Sequence, residues 1–146
     1  MAVDSCPRPT GVTARSVAPI VGVISAAGVE SGVSGIVFFH TEAHDEVVDF
    51  YRERLDAAVW LEQPGCTILA HDEFRLGFCD RDRTDDCGVV TFYYDDRATV
   101  DRTYERLADV ARGPPEENER YDIYQFFADD PDGRTVEVQT FLHPLP

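Results

Sequence analysis

Glu137 and Gln139 sit two residues apart in Arg134–Phe141, a run rich in β-branched residues. In a strand both side chains share one face, and Val136 and Val138 take the other. If the valines pack under a helix, the carboxylate and the amide point into whatever the sheet curves around. A carboxylate there either binds something or carries a desolvation cost. Deprived of water it is driven toward its neutral form, which suits a general base once substrate closes the site. Pairing with an arginine such as Arg75 is the structural alternative. Ile36, Phe38 and His40 also share one strand face, which puts His40 at the rim of the same space. Phe38, Trp60, Tyr93 and Tyr124 are expected to wall it, with His40 and Gln139 as ligand-binding partners. Such a wall with one carboxylate suits a small organic molecule, cationic or hydroxylated. Core filling is the plain alternative for each ring. His44, His71 and His143 are expected at a helix start, a turn and beyond the last strand.

The chain has 146 residues, 43% of them hydrophobic, with nine Phe, six Tyr and one Trp. That is enough for one domain with a true core. The formal charge is −15, and all 13 basic residues are arginine. This surface repels phosphate backbones and anionic membranes, so neither nucleic acid nor membrane is an expected partner. Acidity with arginine in place of lysine fits a salt-rich cytosol, where screening tolerates self-repulsion. A cytoplasmic location is expected. Cys66 and Cys79 fall in apolar, strand-like runs and read as small hydrophobes. Cys79 and Cys87 bracket the loop Asp80–Asp86, so a disulfide between them is the competing reading. No zinc-type or C-x-x-C spacing occurs, and no acidic run has the EF-hand pattern.

Those residues need elements to hold them. Residues 1–33 are rich in Gly, Ala, Ser, Val and Pro, lack aromatics, and are expected to be a flexible extension. A secretory signal is the lesser alternative there. The compact part, 34–146, reads twice as strand, helix, three strands. The first module covers about residues 35–80. Its strands are Gly35–His40, Ala57–Gln63, Cys66–Ala70 and Glu73–Cys79, and its helix is His44–Asp56. The second covers about residues 88–143. Its strand Gly88–Tyr93 and helix Asp96–Ala111 are followed by an edge strand near 113–118, then Tyr121–Ala128 and Arg134–Phe141. Asp129–Gly133 is a turn signal between the last two strands. The halves match in letters at a near-constant offset. Gly35-Ile36-Val37 parallels Gly88-Val89-Val90, and Glu53-Arg54-Leu55 parallels Glu105-Arg106-Leu107. An internal repeat of this kind decides the fold. It is α+β, with two tandem βαβββ modules forming a curved, cup-shaped mixed sheet.

Two such modules, with Phe50–Leu55 in the first helix and Phe127–Glu137 near the end, resemble the vicinal oxygen chelate superfamily over about residues 35–143. That group includes glyoxalase I, extradiol dioxygenases and bleomycin-resistance proteins. The resemblance implies a cup that can hold a divalent ion through inward residues on the first and fourth strands of each module. Carried over by position, the last-strand ligand is Glu137. The others fall on Ile36, Val89 and Gly77, none of which can bind metal. No cofactor is therefore expected. A divalent metal, if bound, would use Glu137 with His40, fewer than the three protein ligands usual for catalytic zinc.

The function expected is that of a glyoxalase/bleomycin-resistance-like domain binding a small organic molecule in the cup, with Glu137 as the catalytic candidate. The alternatives are a metal-dependent lyase or dioxygenase using Glu137, and a non-catalytic sequestration module. The resemblance also implies a homodimer.

Overall fold

β-Branched and aromatic runs alternate with two amphipathic stretches, and each becomes an element. The structure, a computed structural model, describes residues 35–146; the extension expected over 1–33 lies outside them. In the first module, β1 (Val37–Thr41) leads to α1 (His44–Arg54), then β2 (Ala58–Gln63), β3 (Cys66–His71) and β4 (Phe74–Asp80). The second module repeats the order. It runs through β5 (Val89–Tyr93), α2 (Arg97–Leu107), β6 (Glu116–Asn118), β7 (Ile123–Asp129) and β8 (Thr135–Phe141). Each module makes its own four-stranded mixed sheet, ordered β1-β4-β3-β2 and β5-β8-β7-β6. The first strand of each runs parallel to the fourth, and the other pairs are antiparallel. The two βαβββ modules expected from the sequence are both present, each with its own mixed sheet.

Helix spacing buries one stripe of each helix on one face of its sheet. Val47, Val48, Tyr51 and Leu55 do this in the first module, and Val100, Thr103 and Leu107 in the second. Asp96 caps α2, its side chain accepting from the Thr99 N–H at 2.7 Å. Both helices end before the expected residue. Beyond α2, the Val110 and Ala111 N–H groups fold back on the Leu107 carbonyl, and Arg112 N–H turns to Phe127 in β7. The two modules share one core, in which the Tyr51 ring lies 5.0 Å from Phe78 and 6.1 Å from Phe92.

The turn 130–133 ties the modules together. Gly133 takes φ +78° and donates to the Asp130 carbonyl. The Asp130 carboxylate caps the turn, accepting from Asp132 and Arg134 N–H, each at 2.9 Å. Arg134 is the largest fully buried side chain. It pairs with Asp130 at 2.5 Å and donates to the Asp85 carbonyl from Nε at 2.9 Å. Its guanidinium stacks 4.5 Å over Phe39 of the first module. The Tyr51 hydroxyl closes the network, donating to Asp130 at 2.9 Å. A buried arginine is tolerated only when its charge and donors are met in this way.

Cys66 and Cys79 face each other across the antiparallel β3–β4 pair and are joined as a disulfide, with Cα atoms 4.1 Å apart. This corrects both sequence readings of these cysteines. They are not small hydrophobes, and Cys79 does not pair with Cys87. Two strand positions read as apolar become directly opposed once the hairpin register is set.

Candidate functional site

The alternation in β8 holds. Val136 and Val138 are fully buried against the helix side, and Glu137 and Gln139 face the other way. Paired residues in a sheet share a face, so the open face of the second sheet can be traced across strands. Glu137 pairs with Thr91 on β5 and Phe127 on β7, and Gln139 pairs with Tyr93 and Gln125. Thr91 Oγ1 donates to Glu137 Oε2 at 2.8 Å. Glu137 is half-buried, and its partner is this hydroxyl rather than Arg75. Arg75 lies 5.3 Å from the Trp60 ring and donates to the Asp72 carbonyl.

A cavity of about 830 Å³ opens along β5. One wall is the β3–β4 turn, with His71, Asp72, Glu73 and Phe74; the other is β5 and its exit, from Thr91 to Asp95. The His71 ring meets Phe92 edge-on at 5.0 Å, and its Nε2 lies 3.5 Å from the Tyr94 hydroxyl. Burial raises the Tyr94 pKa above its ordinary value, against an opposing hydrogen bond involving Thr103. Glu137 stands one strand behind the cavity, joined to it by Thr91.

The predicted residues do not gather in this cavity. Tyr93 lines it. Gln139 shares the open face of β8 and is buried to 7% exposure. Phe38, His40 and Trp60 belong to the first sheet. Phe38 and His40 occupy its helix-free face, and Trp60 sits where the β2–β3 register shifts. Tyr124 belongs on the opposite side of the second sheet, and here the expectation is corrected. Its hydroxyl donates to Asp101 of α2 at 2.7 Å and the Arg97 guanidinium covers its ring at 4.9 Å. Its strand parity is that of Phe126, which packs in the core.

His40 is held at the rim by the loop after β4. Its N–H donates to Asp85 Oδ2 at 2.8 Å, Asp85 N–H returns a bond to the His40 carbonyl at 3.0 Å, and the ring Nδ1 lies 2.7 Å from the same carboxylate. The Arg83 guanidinium approaches that nitrogen to 2.9 Å. Burial pushes the Asp85 pKa up, but the bonds to His40 and the nearby Arg83 outweigh it and the net shift is downward.

The register also tests the metal reading. Thr91, not Val89, stands opposite Glu137, and Phe38, not Ile36, stands opposite Gly77. The four equivalent positions are therefore Phe38, Gly77, Thr91 and Glu137. Gly77 is more than a missing ligand, because a Cβ there would collide with the Phe38 ring. The glycine makes room for an aromatic side chain in the half of the site that a metal would need. Among the described residues no group of three or more His, Cys, Asp or Glu is placed to hold a metal ion. These residues do not fit a divalent ion. Sequence reasoning missed Thr91, Phe74 and the acidic β3–β4 turn. The repeat carried the needed signal, since it sets Phe38 against Thr91.

No family model and no curated protein matches the sequence. Solved structures do. A glyoxalase/bleomycin resistance protein/dioxygenase from Nocardioides superposes with a TM-score of 0.62 at 16% identity, over 81% of this chain and 89% of that one. A family enzyme of the same description from Burkholderia phytofirmans gives 0.65 at 16%, over 73% and 97%. A lactoylglutathione lyase from Agrobacterium tumefaciens gives 0.60 at 21%, over 75% and 93%. The chain has the two-module fold of the vicinal oxygen chelate superfamily.

Proposed function

We propose that this chain binds a small organic molecule in the hollow between the β3–β4 turn and β5, whose lining takes Thr91 and Tyr93 from the face that also carries Glu137. One observation carries the reading: the Thr91–Glu137 hydrogen bond holds a half-buried carboxylate on a helix-free face, next to a cavity large enough for a ligand. Thr91 engages Oε2, and a ligand reaching past Thr91 from the hollow would meet the other oxygen. Glu137 is then the group positioned to take a proton from a bound substrate. Fold alone does not fix the reaction, and lyase or dioxygenase chemistry through a metal is not part of the proposal. A ligand found by screening should lose affinity in Tyr93→Ala. Turnover of that ligand, if present, should vanish in Glu137→Gln with binding retained. Unchanged affinity in Tyr93→Ala would place the site elsewhere.

The rest of the reading is a single domain over 34–146 that works as a homodimer. Phe38, Trp60 and Leu61 support the dimer, since they leave the first sheet with exposed apolar side chains (48%, 53% and 42% exposed). Light scattering should give twice the chain mass. Among the described residues no helix is long and apolar enough to cross a membrane. The cytoplasmic reading meets its sharpest check in the Cys66–Cys79 bridge, because reducing cytosols rarely keep disulfides. Thiol trapping in cells should find both cysteines reduced if that reading is right.

A further inference from the structure

The open face of the first sheet carries chemistry of its own. Strand pairing sets His40 on β1 beside Cys79 on β4, and Cys79 against Cys66 on β3. Paired residues share a face. Leu69, Leu76 and Phe78 take the helix side, so the imidazole and the Cys66–Cys79 disulfide lie together on the other side. Neighbouring strands stand about 4.8 Å apart, so the His40 side chain rises one strand spacing from that of Cys79. Asp85 holds the ring, its Oδ2 2.7 Å from Nδ1, and the Arg83 guanidinium lies 2.9 Å from the same nitrogen. These two loop residues are the charged groups set against the ring, and Cys79 is its neighbour from β4.

The two sulfurs differ in access. Cys66 opens β3 after the Pro64-Gly65 turn and is half-buried, whereas Cys79 is 7% exposed. Thiol–disulfide exchange needs a path to one sulfur, and the other leaves more readily when its charge is met. Cys66 offers the path, and His40 stands where a proton is needed. The bridge also joins residues that the β3–β4 ladder already holds opposite each other, with β2 and β1 paired on the outer edges. The strands therefore keep their register when it opens.

We infer that Cys66–Cys79 is a redox-active disulfide that exchanges with small-molecule thiols. A thiolate RS⁻ attacks Cys66 Sγ and the S–S bond breaks. The electron pair leaves on Cys79 Sγ, which takes a proton from the His40 imidazolium. A second RS⁻ attacks the mixed disulfide, forming RS–SR and releasing the Cys66 sulfur. Two thiols are oxidised to one disulfide while the protein bridge is reduced to two thiols. The two protons the thiols gave up restore His40 and cap Cys66. This site is independent of the hollow beside β5.

The test is reduction of the oxidised full chain by glutathione in native buffer. Samples are quenched in acid, alkylated and mapped by peptide mass, which separates this pair from Cys6 and Cys87. The expected result is that the bridge opens without denaturant, with glutathione trapped on Cys66 and none on Cys79. The amide spectrum of the dithiol form should stay folded, and oxidised glutathione should restore the bridge. The rate per glutathione thiolate should fall as rising pH strips the proton from the imidazole. In His40→Gln, checked for folding by its amide spectrum, that rate should be flat with pH and at least about tenfold slower at the acid end. A bridge that opens only in denaturant would overturn the inference, and so would glutathione found on Cys79. A His40→Gln rate equal to that of the wild type at every pH would overturn the role given to His40.

Discussion

Replacing Arg134 with Met removes a guanidinium that is fully buried and leaves its partners in place. Asp130, 4% exposed, would keep its two backbone donors and the Tyr51 hydroxyl but lose the Arg134 cation, 2.5 Å away. The Asp85 carbonyl would lose donors at 2.9 and 2.6 Å, and the Phe39 ring would lose its stacked cation. Removing one member of a buried ion pair costs about 3–5 kcal/mol, a large share of the roughly 5–15 kcal/mol that holds a domain together. With a urea slope of about 1–3 kcal/mol per molar, the unfolding midpoint should fall by roughly 2 M at fixed salt. Arg134→Met combined with Asp130→Asn removes both charges and keeps an acceptor for the turn. It should recover more than half of the loss. The assay is urea unfolding followed by tyrosine fluorescence and far-UV circular dichroism. A loss below about 1 kcal/mol for Arg134→Met would refute the claim that this pair ties the modules together. An unrecovered double variant would show that the cost comes from packing rather than stranded charge.

Other outcomes follow from the same geometry. Tyr51 has its pKa raised well above the ordinary value, by burial first and then by Asp130, with Arg134 opposing. A group raised in the folded state contributes stability that is complete below its unfolded value, near 10. That stability is lost as pH climbs past it. Wild-type protein should therefore lose stability above about pH 10 more steeply than Tyr51→Phe. At neutral pH the variant gives up about 1–2 kcal/mol with its hydrogen bond. Gly77→Ala must displace the Phe38 ring. Because that side chain is half exposed and can swing outward, the cost should stay near 1 kcal/mol, and Phe38→Ala should abolish it. Phe38 aromatic resonances that stay put in Gly77→Ala would contradict the packing. Reducing the Cys66–Cys79 bridge, which spans a separation of 13 residues, should cost about 2–4 kcal/mol in thermal or urea unfolding.

The modules were legible because their signals are local and repeated. The Val47, Val48, Tyr51, Leu55 stripe, the Asp-Pro-Asp-Gly turn and the alternation in β8 each have a short-range cause, and the repeat fixed their order. The facing of Glu137 and Gln139 followed from alternation alone. Tyr124 was misplaced because alternation gives two faces without saying which meets the helix; its hydroxyl's bond to Asp101 settles that, and it is a long-range contact. The metal-equivalent positions were two residues off in β1 and β5. Register between parallel strands is set by packing across the crossover helix, which no local pattern encodes. The disulfide was missed for a related reason, since Cys66 and Cys79 oppose each other only once the β3–β4 hairpin register is fixed. Arg134 reads in the sequence as an ordinary charged residue after a turn. Only the arrival of Asp85, Phe39 and Tyr51 from the first module makes it a buried centre.

The most direct test of the ligand site is a fragment screen on the ¹⁵N-labelled full chain, read by amide shifts and repeated on Tyr93→Ala. Hits should shift amides clustered on Thr91, Tyr93, Glu137 and the β3–β4 turn, and should be lost in the variant while its spectrum stays folded. Hits that cluster elsewhere, or that survive Tyr93→Ala unchanged, would contradict it.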